Sequence, residues 1–186
     1  MSITREAALS LLKDNLNNER MIAHCLASEA VMIALAQRLG EDEQKWGIAG
    51  LLHDIDLDLV GGDLSQHGWK AREILLANGF DEEIADAILM HNEMAAGKER
   101  STVFQHALAA GETITGLILA TTMVYPDKKL TSVKPKSVVK RMKEKLFAAS
   151  VKRENILECE KIGIPLEEFA ALAISAMLPI SAEMGL

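Results

Sequence analysis

The sequence predicts an all-α protein: a single-domain helical bundle with a C-terminal helical extension. Three observations predict it. Apolar residues recur at helical spacing in one segment after another, cap and stop residues punctuate those segments, and no run of β-branched residues alternates with polar ones. The chain has 186 residues, 49% of them hydrophobic and 25% charged, enough for one well-buried core. Ala, Leu, Ile and Met, which favour helices, are common, aromatic residues make up only 4%, and there is no internal repeat.

Thr4 can cap a first helix with Ala7, Ala8, Leu11 and Leu12 on one face, ending near Asn17 and Asn18. A second runs from about Glu19 to Leu39, stops at Gly40 and carries His24 among Met21, Leu26, Val31 and Leu35. Asp42 caps a third, whose apolar set of Trp46, Ala49, Gly50, Leu51 and Leu52 runs straight into His53 and Asp54. Ile55 to Leu64, with Asp56, Asp58, Asp63 and two glycines, reads as a loop. It imitates the start of a calcium loop but has Leu59 and Ser65 where that motif wants glycine and glutamate, so that reading is rejected.

Ser65 is expected to cap a fourth helix reaching Asn78, with His67 in its first turn. Asp81 caps a fifth, ending at His91 and Asn92, and a polar loop from Glu93 to Arg100 follows. A sixth, from about Thr102 to Val124, holds His106 and Glu112 and is ended by Tyr125-Pro126. The core is therefore placed at about 19–125 and the extension at about 126–186.

In the extension, Pro135 opens a helix with six basic residues between Lys134 and Lys145 outside and Val138, Met142 and Leu146 inside. That face is either merely solvated or a rim that attracts phosphate through Lys134 and Lys136. Two more helices, around Glu154 to Ile162 and Leu166 to Met184, close the chain. The last is apolar on more than one face, so it either completes the bundle or meets a second subunit.

A net charge of −7 and a pI near 5.3 argue against nucleic acid or an anionic membrane surface as partner. Cys25 and Cys159 match no zinc or redox spacing and are expected to be reduced thiols in a cytoplasm, Cys25 as a small buried residue. The N-terminal Met1-Ser2-Ile3-Thr4-Arg5-Glu6 lacks the apolar core of a signal peptide. No stretch is expected to span a membrane, the nearest being Phe169 to Ile180, which Pro179 breaks.

The chemistry gathers at His53-Asp54. An imidazole beside a carboxylate at the end of an apolar helix is costly to bury without a proton, a partner or a cation. Neighbours on a helix point about 100° apart, so both can serve one place only if the helix ends there or two ions are held. Each histidine alone could be a hydrogen-bonded core residue. Together, His24, His53, His67 and His91 with Asp54, supplied by separate helices, fit the way bundles build metal sites. His106 lies six residues before Glu112, on a different helical face, and is expected to be structural.

These residues carry a family resemblance. Gly50-Leu51-Leu52-His53-Asp54-Ile55-Asp56, then His67-Gly68, His91-Asn92 and the run from Ala110 to Ile118 resemble the HD superfamily of metal-dependent phosphohydrolases, in particular a bacterial subgroup of predicted hydrolases. The resemblance implies an HD-type bundle with His24, His53 and Asp54 as the first three metal ligands and Asp54 bridging two ions. It implies His67 and His91 as ligands of the second ion, and puts Glu112 where the family has an aspartate, a longer side chain with an added rotor. Nitrogen and carboxylate donors suit one or two divalent ions, whether Mn, Fe, Co, Ni, Zn or Mg.

The function expected is hydrolysis of a small phosphorylated molecule, a nucleotide or related phosphoester, by a metal-activated water, with His53, Asp54 and Asp56 at the catalytic centre. Asp56 is either an acceptor that fixes a ligand histidine or water, or a solvated loop acid. Asn92 either donates to substrate or ends its helix. Two other readings use the same residues: a di-iron oxygenase of the same superfamily, and a metal-binding regulatory module without turnover.

Overall fold

The computed structural model describes residues 3–185; Met1 and Ser2, part of the N-terminal stretch read above, and Leu186 lie outside the described residues. Among the described residues there are helices and turns and no strand. Thr4 caps α1 (Arg5–Asn15), accepting the Ala7 N–H at 3.2 Å. Asn18 caps α2 (Glu19–Leu39), which Gly40 ends in the left-handed conformation. Asp42 caps α3 (Glu43–Leu52), and Thr102 with Gln105 forms a capping box on α8 (Val103–Met123).

α2, α3 and α8 form the centre. α3 lies so close against α2 that a Cβ at Gly50 would sit 2.6 Å from the Ser28 carbonyl oxygen and one at Gly47 2.8 Å from the Ile33 side chain. Trp46 of α3 stacks on Phe104 of α8 with ring centroids 5.1 Å apart. Buried Glu29 of α2 is held by a two-pronged pair with Arg5 of α1, at 2.5 and 2.7 Å. α5 (Trp69–Ala77) packs on α6 (Glu82–His91), which packs on α3 and α8.

The extension joins this core directly. α9 (Pro135–Met142) and α10 (Arg153–Leu157) pack on α8, and α11 (Leu166–Met177) packs on α2 and α9. Phe169, Ala170, Ala173 and Met177 of α11 enter the same buried cluster as Val31, Leu35 and Leu108. The last helix is shorter than expected: it gives way after Met177 to a 3₁₀ turn over Leu178–Ile180, with Pro179 at its start.

Four other expectations are corrected. The stretch after Asp54 is not all loop but holds a one-turn α4 (Leu57–Val60), and the polar loop after Asn92 begins with a one-turn α7 (Glu93–Ala96). Ser65 caps no helix; its hydroxyl donates to Asp63 at 2.6 Å, and α5 begins four residues later behind Gly68, at φ +92°. α2 and α8 are each long and apolar enough to cross a membrane, with mean hydropathy 1.2 over 18 residues, contrary to the expectation that no stretch was. Both belong to the centre of the bundle, with 44% and 67% of those windows buried inside it.

Candidate metal centre

Four histidines and two carboxylates from α2, α6, α8, the end of α3 and the turn before α5 meet at one place. α3 ends at Leu52, and the chain turns through Asp54 and Ile55, so His53 and Asp54 are freed from the divergence a continuing helix would impose. His53, Asp54, His67 and His91 are all buried, at most 8% exposed.

Every histidine is anchored through Nδ1. His53 donates to the Gly50 carbonyl at 2.8 Å and His91 to the Ile88 carbonyl. His67 donates to Asp56 Oδ1 at 2.8 Å. His24 donates at 2.9 Å to the Thr115 hydroxyl, whose own proton goes to the Glu112 carbonyl at 2.7 Å. With all four Nδ1 atoms protonated, each Nε2 carries a bare lone pair, the tautomer that metal-binding histidines adopt.

Those lone pairs face one another. The Nε2 atoms of His24 and His53 are 3.1 Å apart, and those of His67 and His91 are 2.9 Å apart. Two lone pairs at that distance repel unless a proton or a cation lies with them. About 3 Å is also the separation of two nitrogens bound to one ion at roughly 2.0–2.1 Å each. Asp54 divides itself between the pairs: Oδ2 lies 3.3 Å from His53 Nε2 and 3.7 Å from His24 Nε2, while Oδ1 lies 3.3 Å from His67 Nε2 and 3.7 Å from His91 Nε2. Glu112 Oε2 completes the first group, 3.8 Å from His24 Nε2. Two sets of donors result, His24, His53 and Glu112 in one and Asp54, His67 and His91 in the other. The chemistry of this donor set fits divalent ions.

Without a cation the protons take over. Burial would depress His53 and His67, but Asp54, seconded by Glu112 at His53 and by Asp56 at His67, pushes both up to about 9. Burial and the neighbouring His53 hold His24 below the usual range. Burial would raise Asp54, yet His53, His67 and His91 keep it well below the usual carboxylate range.

The centre opens into a cavity of about 290 Å³, whose lining beyond the ligands includes Leu64, Asn92, Thr113, Ser150, Lys152 and Asn155. A cavity of about 350 Å³ elsewhere, lined by Ile3, Lys45, Phe80 and Ile84 among others, contains no histidine and is separate from the centre.

The structure keeps some of the expected roles and changes others. Asp56 is not a solvated loop acid: it is fully buried, does not line the cavity, and accepts from His67, which matches the reading of an acceptor that fixes a histidine. Asn92 spends both amide hydrogens on the carbonyls of Leu64 and His67, at 2.8 and 3.0 Å, and so fastens the His67 turn instead of donating to substrate. Lys134 and Lys136 are exposed and do not line the cavity, because the inner face of α9 is turned onto the bundle through Val138; the lysine that does is Lys152. His106 pairs with Glu158 at 2.9 Å, away from the centre. Burial and Asp54 push the Cys25 thiol well above its ordinary value, so it stays protonated.

Sequence reasoning missed Thr115 and Arg100. Thr115 sits one helical turn after Glu112, a spacing that could have exposed it. Arg100, almost fully buried, donates to the Met90 and His91 carbonyls, each at 2.8 Å, and to Glu158 of the extension at 2.9 Å. It therefore closes the end of α6 where His91 sits.

The family model described as HD domain matches residues 21–133. Comparison with curated proteins and comparison with solved structures gave no match.

Proposed function

The chain belongs to the HD domain family, made up mostly of metal-dependent hydrolases, and from that premise we propose that it is a phosphohydrolase. Its substrate is a small phosphorylated molecule, a nucleotide or related phosphoester. The observation that carries this reading is the division of Asp54, one oxygen toward each pair of histidines. A pair of divalent ions held there would supply Lewis acidity toward phosphate oxygens and a water that ionises near neutral pH.

The chain's own residues do the rest. His24, His53 and Glu112 would hold one ion and His67 and His91 the other, with Asp54 shared between them. Anchored Nδ1 atoms keep each ring from turning, so the donors are preorganised before any ion arrives. The cavity lining adds the apolar side chains of Leu64 and Val151 and the Ser150 hydroxyl, which can orient a polar substrate.

The test is elemental analysis of protein purified without chelator, then phosphate release from a panel of nucleotides and phosphomonoesters, with Asp54→Ala as control. Divalent metal in the native protein and phosphate release absent from the variant are expected. Release no greater than that of Asp54→Ala would sink the reading. Iron with oxygen consumption and no phosphate release would favour an oxygenase using the same ligands.

A further inference from the structure

Part of the cavity wall comes from residues 150–155, beyond the stretch that the family model matches. We propose that Lys152, at the centre of this segment, is the residue with which the cavity recognises the phosphate group of its substrate. The inference rests on the metal-centre reading above and adds a substrate contact to it.

Among the described residues Lys152 is the one lysine or arginine that lines the cavity. Arg141 is paired with Glu144, and Arg100 and Lys161 with Glu158, the last at 3.6 Å, while Lys140, Lys143 and Lys145 do not line the cavity. Lys152 makes no such pair among the described residues, so its ammonium is free for an anion entering the cleft. The carboxylates of the centre are committed to the histidines and, by the reading above, to the ions. The other polar groups in the lining, on Ser150, Thr113 and Asn155, are neutral. An incoming phosphate therefore meets positive charge at the centre and at Lys152.

The backbone that carries Lys152 is fixed on both sides. Before it, the Arg153 guanidinium gathers the carbonyls of Phe147, Ala148 and Val151, the last two at 2.8 and 2.7 Å. Arg141 lies 4.3 Å over the Phe147 ring, and Ala148 is held at φ +45°. After it, the Asn155 amide donates to Thr113 of α8 at 3.3 Å and accepts from Arg100 at 3.4 Å. A flexible lysine stem on a rigid base places a point charge without demanding one geometry, which suits a phosphate.

The experiment is calorimetric titration of inorganic phosphate into manganese-loaded protein, with manganese content measured in each sample. Lys152→Gln should weaken phosphate binding about tenfold, Lys152→Arg should stay within about threefold of the native protein, and Lys136→Gln should match it. Manganese content should be equal in all four. Equal phosphate affinity in native protein and Lys152→Gln, or manganese-loaded native protein that takes no phosphate, overturns the role of Lys152 while the metal centre stands. Native protein that takes up no manganese overturns both.

Discussion

Asp56 and His67 form a buried pair, Oδ1 to Nδ1 at 2.8 Å, and the second oxygen of the same carboxylate accepts the backbone N–H groups of Gly68 and Ala71 at 2.8 and 3.0 Å. One side chain thus opens α5 in place of a local cap and sets the ring whose Nε2 faces Asp54. Gly68 makes this possible: it holds φ +92°, and a Cβ there would lie 3.2 Å from the Leu89 carbonyl oxygen.

Asp56→Ala removes the acceptor of one imidazole and two buried N–H groups. It should destabilise the protein by about 3 kcal/mol and lower metal affinity by about 10–100-fold. Asp56→Asn can still accept from the backbone but presents its amide badly to His67, so stability should recover more than affinity. Urea denaturation and manganese titration separate the two effects; unchanged affinity in Asp56→Ala would refute the positioning role.

The metal-free protein should lose stability on the alkaline side. His53 and His67 rise from 6.5 to about 9 on folding, so the folded state holds extra protons between those values. Their contribution is complete below about pH 6.5 and is lost as pH climbs through about 9. Chelator-treated protein should therefore melt lower at pH 9.5 than at pH 6.5, while metal affinity should strengthen over the same interval as protons cease to compete. A melting curve flat across that range contradicts the protonated pair.

Gly50→Ala would drive a methyl group to 2.6 Å from a backbone oxygen of α2, which no side-chain rotation relieves. A loss of about 1–3 kcal/mol is expected. Because Gly50 also receives the His53 Nδ1 proton, metal content should fall with it. Thermal unfolding with elemental analysis checks both.

Arg100→Met should be among the more damaging single changes, at about 3 kcal/mol, since it leaves Glu158 and two helix-end carbonyls without their buried donor. Metal affinity should also drop, because α6 ends in His91. Calorimetric unfolding and metal titration are the readouts; a variant as stable as the native protein would show that α6 and the extension hold together without this arginine.

The helices were legible because their signals are local. Thr4, Asn18, Asp42, Asp81 and Thr102 all accept backbone N–H groups at the helix starts where they stand. The reading failed at Ser65, whose cap signal was equally good in sequence, because Asp56 reaches that helix start from twelve and fifteen residues away. A similar limit hid Lys152: the run from Lys134 to Lys145 is dense in charge, but density along the chain does not say which lysine turns toward a cavity.

What the sequence determined by itself was which side chains need one another, since imidazoles and carboxylates placed at the ends or along the inner faces of apolar helices are too costly to bury singly. Only the tertiary structure decided that His24 meets His53, that His67 meets His91 and that Asp54 stands between the pairs. It also decided that Asp56, Thr115 and Arg100 hold that arrangement from behind. The reason is physical. A helix period orients a side chain relative to its own axis, whereas the distance between donors on different helices depends on close approaches such as that of Gly50 to Ser28, which long-range packing alone produces.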